Sequence, residues 1–317
     1  MRRPALSATG LAVVLALSLA ACGGGGDEPA ASEPSATGDA AFPRTVEHAM
    51  GSTEIPARPE RVVVLDTGEL DAVLSLGVTP VGAVTTGASD EFLGYLAEDA
   101  ADVEPVGTVP EPDLEAIAAL EPDLILSNRT RHEAIYEQLS RIAPTVFAEH
   151  VGVVWKENLL LDAEALGLEE EAAAALEEYE SDAAALGEEL GDPAGTTVSA
   201  MRFVDGTIRV YTAESFIGTV LADIGLDQLQ LPPGQYPTFA ELSAEEVSRV
   251  EADVVLYSSF GPADESGEAG VVAGPLWPRL PAVAEGRAHA VDDDIFYSGV
   301  GLRAATLQLE ELRALLG

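Results

Sequence analysis

The chain has 317 residues, 47% of them hydrophobic, with 55 acidic against 16 basic side chains and a net charge of −39. The apolar share excludes a disordered chain. A field that negative repels nucleic acid and anionic lipid while selecting no ligand by itself.

At this length one large or two medium domains are expected. Met1, Arg2 and Arg3 precede an apolar run, Leu11 to Leu17, and then small residues, the layout of an export signal. The run is shorter than the roughly 20 apolar residues that span a bilayer. Cys22, the single cysteine, closes this stretch and four glycines follow it.

Leu19, Ala20, Ala21 and Cys22 resemble a bacterial lipobox, in which the cysteine is acylated and becomes the first residue of the mature protein. Residues 1–21 are therefore expected to be a lipoprotein signal peptide. The competing reading, a buried thiol, finds no core to enter between a signal and a glycine run. Residues 22–41 are rich in Gly, Pro, Ser and acid and are expected to form a flexible tether.

Order is expected from about Phe42. The β-branched run Val62, Val63, Val64 predicts a buried strand, Leu70, Val73, Leu74 and Leu76 recur at helical spacing before Gly77, and Val78 to Val84 predicts a second strand. Strand, helix and strand in that order imply a parallel pair with a crossover helix. Asp113 to Ser127 reads as a helix, a turn marked by Pro122, and another buried strand. From about Trp155 to Leu190 helix formers are interrupted only by Gly167 and Gly187, and the second half alternates Ala and Leu with Glu. A charge-laced helix between two α/β segments is expected to be a spacer rather than a core element.

Residues Glu115 to Leu126 match Glu245 to Leu256 in glutamate, apolar and aspartate positions at a constant offset. An offset that long implies two related lobes rather than a repeat array. Two such lobes leave a cleft, where small molecules usually bind.

The order of Pro59 to Leu65, Leu76 to Gly82, Leu120 to Ile125 and Leu276 to Val283 resembles the iron-siderophore substrate-binding lipoproteins of bacterial ABC importers, over residues 42–317. That resemblance implies an α/β fold of two Rossmann-like lobes with parallel-rich sheets bridged by a single long helix. The lobes are expected at residues 42–167 and 192–317, with the inter-lobe helix at residues 168–191. It implies a monomer, exported and lipid-anchored to the outer face of the cytoplasmic membrane, that delivers a ferric siderophore to a permease dimer. No nucleic acid, metal site or cofactor is implied beyond the ferric siderophore itself. One stiff helix also implies little lobe movement on binding.

The resemblance gives Glu115 and Glu245 a role as salt-bridge partners for arginines on the two permease subunits, and a two-fold permease suits one carboxylate per lobe. Solvated carboxylates near a helix start are the plainer reading. Arg202, on the strand opening the second lobe, matches a ligand arginine of the family, and its fork of donors suits the oxygens around chelated iron. Arg129 follows a first-lobe strand, where ligands gather. Surface arginines remain the alternative for both. Trp277 and Tyr297 are placed beside the ligand for their apolar faces and polar tips, with core packing as the alternative for Trp277.

Competing chemistry finds little footing. His48, His132, His150 and His289 lack metal-ligand spacing, and Asp292 to Asp294 lack the loop of a calcium site. Gly299 to Ala304 fits a relaxed dinucleotide fingerprint outside any βαβ context. No hydrolase motif occurs, so an exported enzyme acting on the chelate is a distant alternative. Heme or cobalamin on the same scaffold is the nearer one.

Overall fold

The computed structural model describes residues 42–87, 90–191, 193–232 and 234–317. The expected signal peptide, Cys22 and the tether lie outside the described residues. A hairpin of β1 (Arg44–His48) and β2 (Gly51–Ile55) precedes the first lobe. The lobe runs β3 (Val62–Val64), α1 (Thr67–Ser75), β4 (Gly82–Thr85), β5 (Glu104–Thr108), β6 (Glu111–Pro112), α2 (Leu114–Ala119), β7 (Leu124–Asn128), α3 (Arg129–His132), α4 (Tyr136–Leu139) and β8 (Thr145–Ala148). Its sheet has the order β6-β5-β4-β3-β7-β8 and is parallel except at β6.

Two helices follow, α5 (Trp155–Leu166) and α6 (Glu169–Glu189), separated by Gly167, which takes the left-handed conformation that ends α5. The second lobe contains β9 (Thr197–Val204), β10 (Thr207–Tyr211), α7 (Phe216–Ile224), β11 (Asp227–Gln228), β12 (Phe239–Leu242), β13 (Val254–Ser259), α8 (Ala263–Ser266), α9 (Glu268–Val272), α10 (Pro281–Ala284), β14 (Ala288–Ala290) and α11 (Leu302–Leu316). Its sheet order is β12-β10-β9-β13-β14, with β11 also paired to β9. Only β10 runs antiparallel to its neighbours β9 and β12.

Both sheets are buried on two faces, which is why their strands read as unbroken apolar runs. In β3, Val62 and Val64 face one core while Val63 faces another; in β13, Val254 and Leu256 face one and Val255 the other. The duplicated aspartates have one structural role. Asp123 accepts from the Glu60 and Arg61 amides at 2.8 and 2.9 Å, and Asp253 accepts from the Thr197 amide at 2.9 Å. Each carboxylate pins the start of its strand to the neighbouring one.

Helix α6 is not the free spacer expected of it. Ala172, Leu176, Tyr179, Ala183 and Leu186 are buried in one cluster with α5, α7 and α11, so a single apolar stripe is core while the glutamates occupy the other faces. Lys156 ties α5 to α6 and α7 through Glu180 and Asp223, each at 3.0 Å. Other contacts also bridge the lobes. The Gly94 amide donates to Asp294 at 2.7 Å, and buried Asp71 on α1 accepts from the Arg303 and Ala304 amides that begin α11, at 2.9 and 3.0 Å.

Gly187 lies inside α6 instead of breaking it. A Cβ there would collide with the Ile224 carbonyl oxygen of α7. Helix propensity alone would favour alanine by about 1 kcal/mol. Here Gly187→Ala is expected instead to lower stability, by about 1–3 kcal/mol of overpacking, read as a lower midpoint in thermal unfolding.

Candidate functional site

The carboxyl ends of the parallel strands of both lobes meet at a cleft, as open α/β sheets dictate. Asp66 lies beyond β3, Thr86 beyond β4, Val109 and Pro110 beyond β5, and Arg131 beyond β7; Arg202 on β9 and Tyr297 and Ser298 beyond β14 face them. These residues line a polar compartment of about 540 Å³. Asp66, Thr67, Arg131, Tyr297 and Ser298 also border a second compartment of about 170 Å³, whose wall is largely apolar: Ala72, Trp155, Leu159, Phe216 and Val300.

Arg202 is 7% exposed and firmly held. Its Nε donates to Asp293 Oδ1 at 2.7 Å, and Nη2 donates to Asp293 Oδ2 and to Ser298 Oγ. Phe260 covers the guanidinium at 4.6 Å and Tyr297 at 5.9 Å. Burial alone would lower its pKa, but Asp293 and Tyr211 together outweigh burial and the net direction is upward. Asp293 in turn accepts from Ser258 at 2.7 Å and Ser298 at 2.9 Å.

Tyr297 sits in a π-helical turn, Asp294–Ser298, a form frequent at functional sites. Its ring lies 4.9 Å from Tyr211. Burial first, then the neighbouring Tyr211 and Asp293, hold its pKa well above the ordinary value, so it meets a ligand as a phenol.

Arg129 does not face the cleft. It is the first residue of α3 and pairs with Glu149 at the surface. Arg131 takes the place expected of it, because two residues turn a helix by about 200° and reverse the side chain's direction. Arg131 Nε donates to Asp66 at 3.2 Å. Asn128, the cap of α3, accepts from the Arg131 amide at 3.0 Å and donates to Asp66 at 3.0 Å and Glu69 at 3.2 Å. One amide side chain thus fixes three charged or acidic groups.

Trp277 also departs from expectation. It is 5% exposed and packs in the second-lobe core against Tyr257, 5.1 Å away, and Phe203, so it lines neither compartment. Trp155 is the tryptophan of the cleft; it is held by a 2.9 Å bond to Thr219 and edge-on contacts with Tyr179 and Phe216.

Below the cleft lie two buried acids. Burial, then the charge of Asp66, pushes the Glu69 carboxyl up to about 8, against the Asn128 hydrogen bond and the Arg131 charge. Asp162 on α5 is pushed well above its usual range by burial and then by Glu69.

Glu115 and Glu245 are both exposed at the second residue of their helical segments, and neither makes an ion pair among the described residues. Asp113 caps α2, accepting from the Glu115 and Ala116 amides at 2.9 and 3.1 Å. In the 3-10 segment Ala244–Val250 the cap is Ser243, whose amide and hydroxyl both donate to Glu246. Both segments lead into parallel strands, so their first turns lie at the strand edge where the cleft opens.

The family model of the periplasmic binding proteins matches residues 62–295. The chain is 40% identical over 281 residues to the probable siderophore-binding lipoprotein YfiY of Bacillus subtilis, covering 85% of this chain and 86% of that one. It is 29% identical over 268 residues to the Fe(3+) dicitrate-binding periplasmic protein FecB of Escherichia coli, covering 84% and 87%. The crystal structure of Staphylococcus aureus SirA complexed with staphyloferrin B matches with a TM-score of 0.76 at 30% identity, over 86% of this chain and 98% of that one. With the family's pattern running through both lobes and the helix that joins them, the chain belongs to the periplasmic binding protein family.

Proposed function

We propose that this protein captures a ferric siderophore between its lobes and delivers it to an ABC importer permease, binding without turnover. The observation that carries this reading is the pair of arginines, Arg131 and Arg202, presented from opposite lobes with Tyr297 and Trp155 into one cleft. The guanidinium N–H groups not committed to Asp66 and Asp293 suit the oxygen-rich shell of a chelated iron, and the aromatic faces suit its organic backbone. The siderophore and ferric citrate ligands of the three proteins compared above support the same ligand class.

Export and anchoring through acylated Cys22 complete the proposal, with the protein acting as a monomer. A leash from residue 22 to about 41 would keep the binder near its permease and raise its effective concentration there.

Titration of purified protein with ferric siderophores and with heme, read by intrinsic fluorescence, tests the capture step. Saturable quenching by a ferric siderophore, with the chelate recovered intact, is expected. Arg202→Gln should weaken that binding about tenfold or more, the worth of a charge-assisted hydrogen bond. Heme as the only saturating ligand, or an unchanged affinity in Arg202→Gln, overturns this reading of the cleft. Conversion of the chelate overturns binding without turnover.

A further inference from the structure

Resting on the capture of a ferric chelate, we propose that the cleft selects chelates of low net charge, neutral or cationic tris-hydroxamates, over triply anionic tris-catecholates. Two observations carry this independently of any relative.

Both cleft arginines are already neutralised. Arg202 forks onto Asp293, and Asp293 collects two further hydroxyl donors from Ser258 and Ser298. Asp66 accepts from Arg131, from Asn128 and, at 2.7 Å, from the Thr67 amide that it caps. Each aspartate is therefore built into its position by several donors and does not leave when a ligand arrives. Among the described residues, Arg131 and Arg202 share the two cleft compartments with Asp66 and Glu69, and Asp293 and Asp294 line the adjoining space past Ser259. A ligand bearing three negative charges finds both guanidinium groups already paired and a further carboxylate, Asp294, in the adjoining space, and like-charge contact is what an interface uses to reject a wrong partner. The strongly acidic chain adds a repulsive field of the same sign.

The second observation is the apolar compartment. Trp155, Leu159, Phe216 and Val300 wall a space that shares Thr67, Arg131 and Tyr297 with the arginine site. Such a wall accepts uncharged organic arms and disfavours ionised ones. Three hydroxamates cancel the charge of ferric iron, leaving an uncharged complex with an aliphatic backbone, whereas three catecholates leave it triply negative.

The test titrates wild type, Asp293→Asn and Asp66→Asn with ferric desferrioxamine B, a ferric cyclic tri-hydroxamate and a ferric tris-catecholate. Asn retains capping ability at position 66, so at least one variant folds normally. In wild type the hydroxamate complexes are expected to bind at least about 30-fold more tightly than the tris-catecholate, and each Asn variant should narrow that ratio about tenfold. Equal binding of both classes, a preference for the tris-catecholate, or a ratio that neither variant moves overturns the charge selection while leaving capture standing. Failure of every chelate to bind overturns capture itself, and this inference with it.

Discussion

Alanine at both Glu115 and Glu245 is expected to abolish ferric-siderophore uptake by cells while the purified protein keeps its ligand affinity. Both side chains are exposed, lie on different lobes and line no part of the cleft, so nothing in the binding site changes when they are shortened. Their carboxylates have no partner among the described residues, whereas the adjacent Glu246 is tied to Ser243 and Arg249. A carboxylate left free beside one that is committed to capping is available to a partner's cation. Losing two charge pairs of a docking surface removes about a hundredfold or more in affinity, and each single variant should show an intermediate defect. Glu246→Ala provides the contrast: it removes the Glu246 half of the capping box with Ser243 and slightly lowers the thermal unfolding midpoint while uptake continues. An equal loss of ligand affinity in the double variant would place these residues in binding, and undiminished uptake would reduce them to solvated helix caps.

What the sequence disclosed and what it hid follow from the same physics. Val62 to Val64 and Leu124 to Leu126 announce themselves because strands covered on both faces have no polar positions to interrupt the run. The long-offset match survives because Asp123 and Asp253 do the same work at the same place in each lobe. Helix α6 was legible in length but not in burial, since its narrow stripe of Ala172, Leu176, Tyr179, Ala183 and Leu186 is diluted by glutamates on every other face. Finding Arg131 in place of the expected Arg129 requires the helical phase of a four-residue helix, which a single turn of sequence does not display. Trp155 and Trp277 each begin a helical segment, and which of them meets the cleft depends on tertiary packing. A polar residue directly after a buried run was the one available signal for the missed site residues: Asp66 follows Val62 to Leu65, and Asn128 follows Leu124 to Ser127.

Replacing Glu69 by glutamine is expected to stabilise the protein at alkaline pH and to change little in acid. The carboxyl titrates near 4.5 in an unstructured chain and is pushed up to about 8 by its burial and by Asp66. Below about pH 4.5 both folded and unfolded chains carry the proton and the group costs nothing. As pH rises from there toward 8 the unfolded chain releases the proton while the folded one retains it, so stability falls across that window, at up to about 1.4 kcal/mol per unit. Asp162, also raised, pulls in the same direction, and its Oδ2, like Glu69 Oε2, has no hydrogen-bond partner among the described residues. Glutamine keeps the shape, can receive the Asn128 bond and has no proton to lose, so the penalty disappears with the charge. His48 and His132, both lowered chiefly by burial, work oppositely and lose stability as pH falls. The informative quantity is therefore the difference in unfolding midpoint between Glu69→Gln and wild type, which cancels them. That difference is expected to be small at pH 5 and to grow in favour of the variant by about 6 °C or more at pH 8, the equivalent of roughly 3 kcal/mol in a chain of this size. A difference that stays constant from pH 5 to pH 8 would show that Glu69 is ionised in the folded protein. The cleft floor would then carry a further negative charge beside Asp66, and the Arg131 guanidinium would have two carboxylates to neutralise it instead of one.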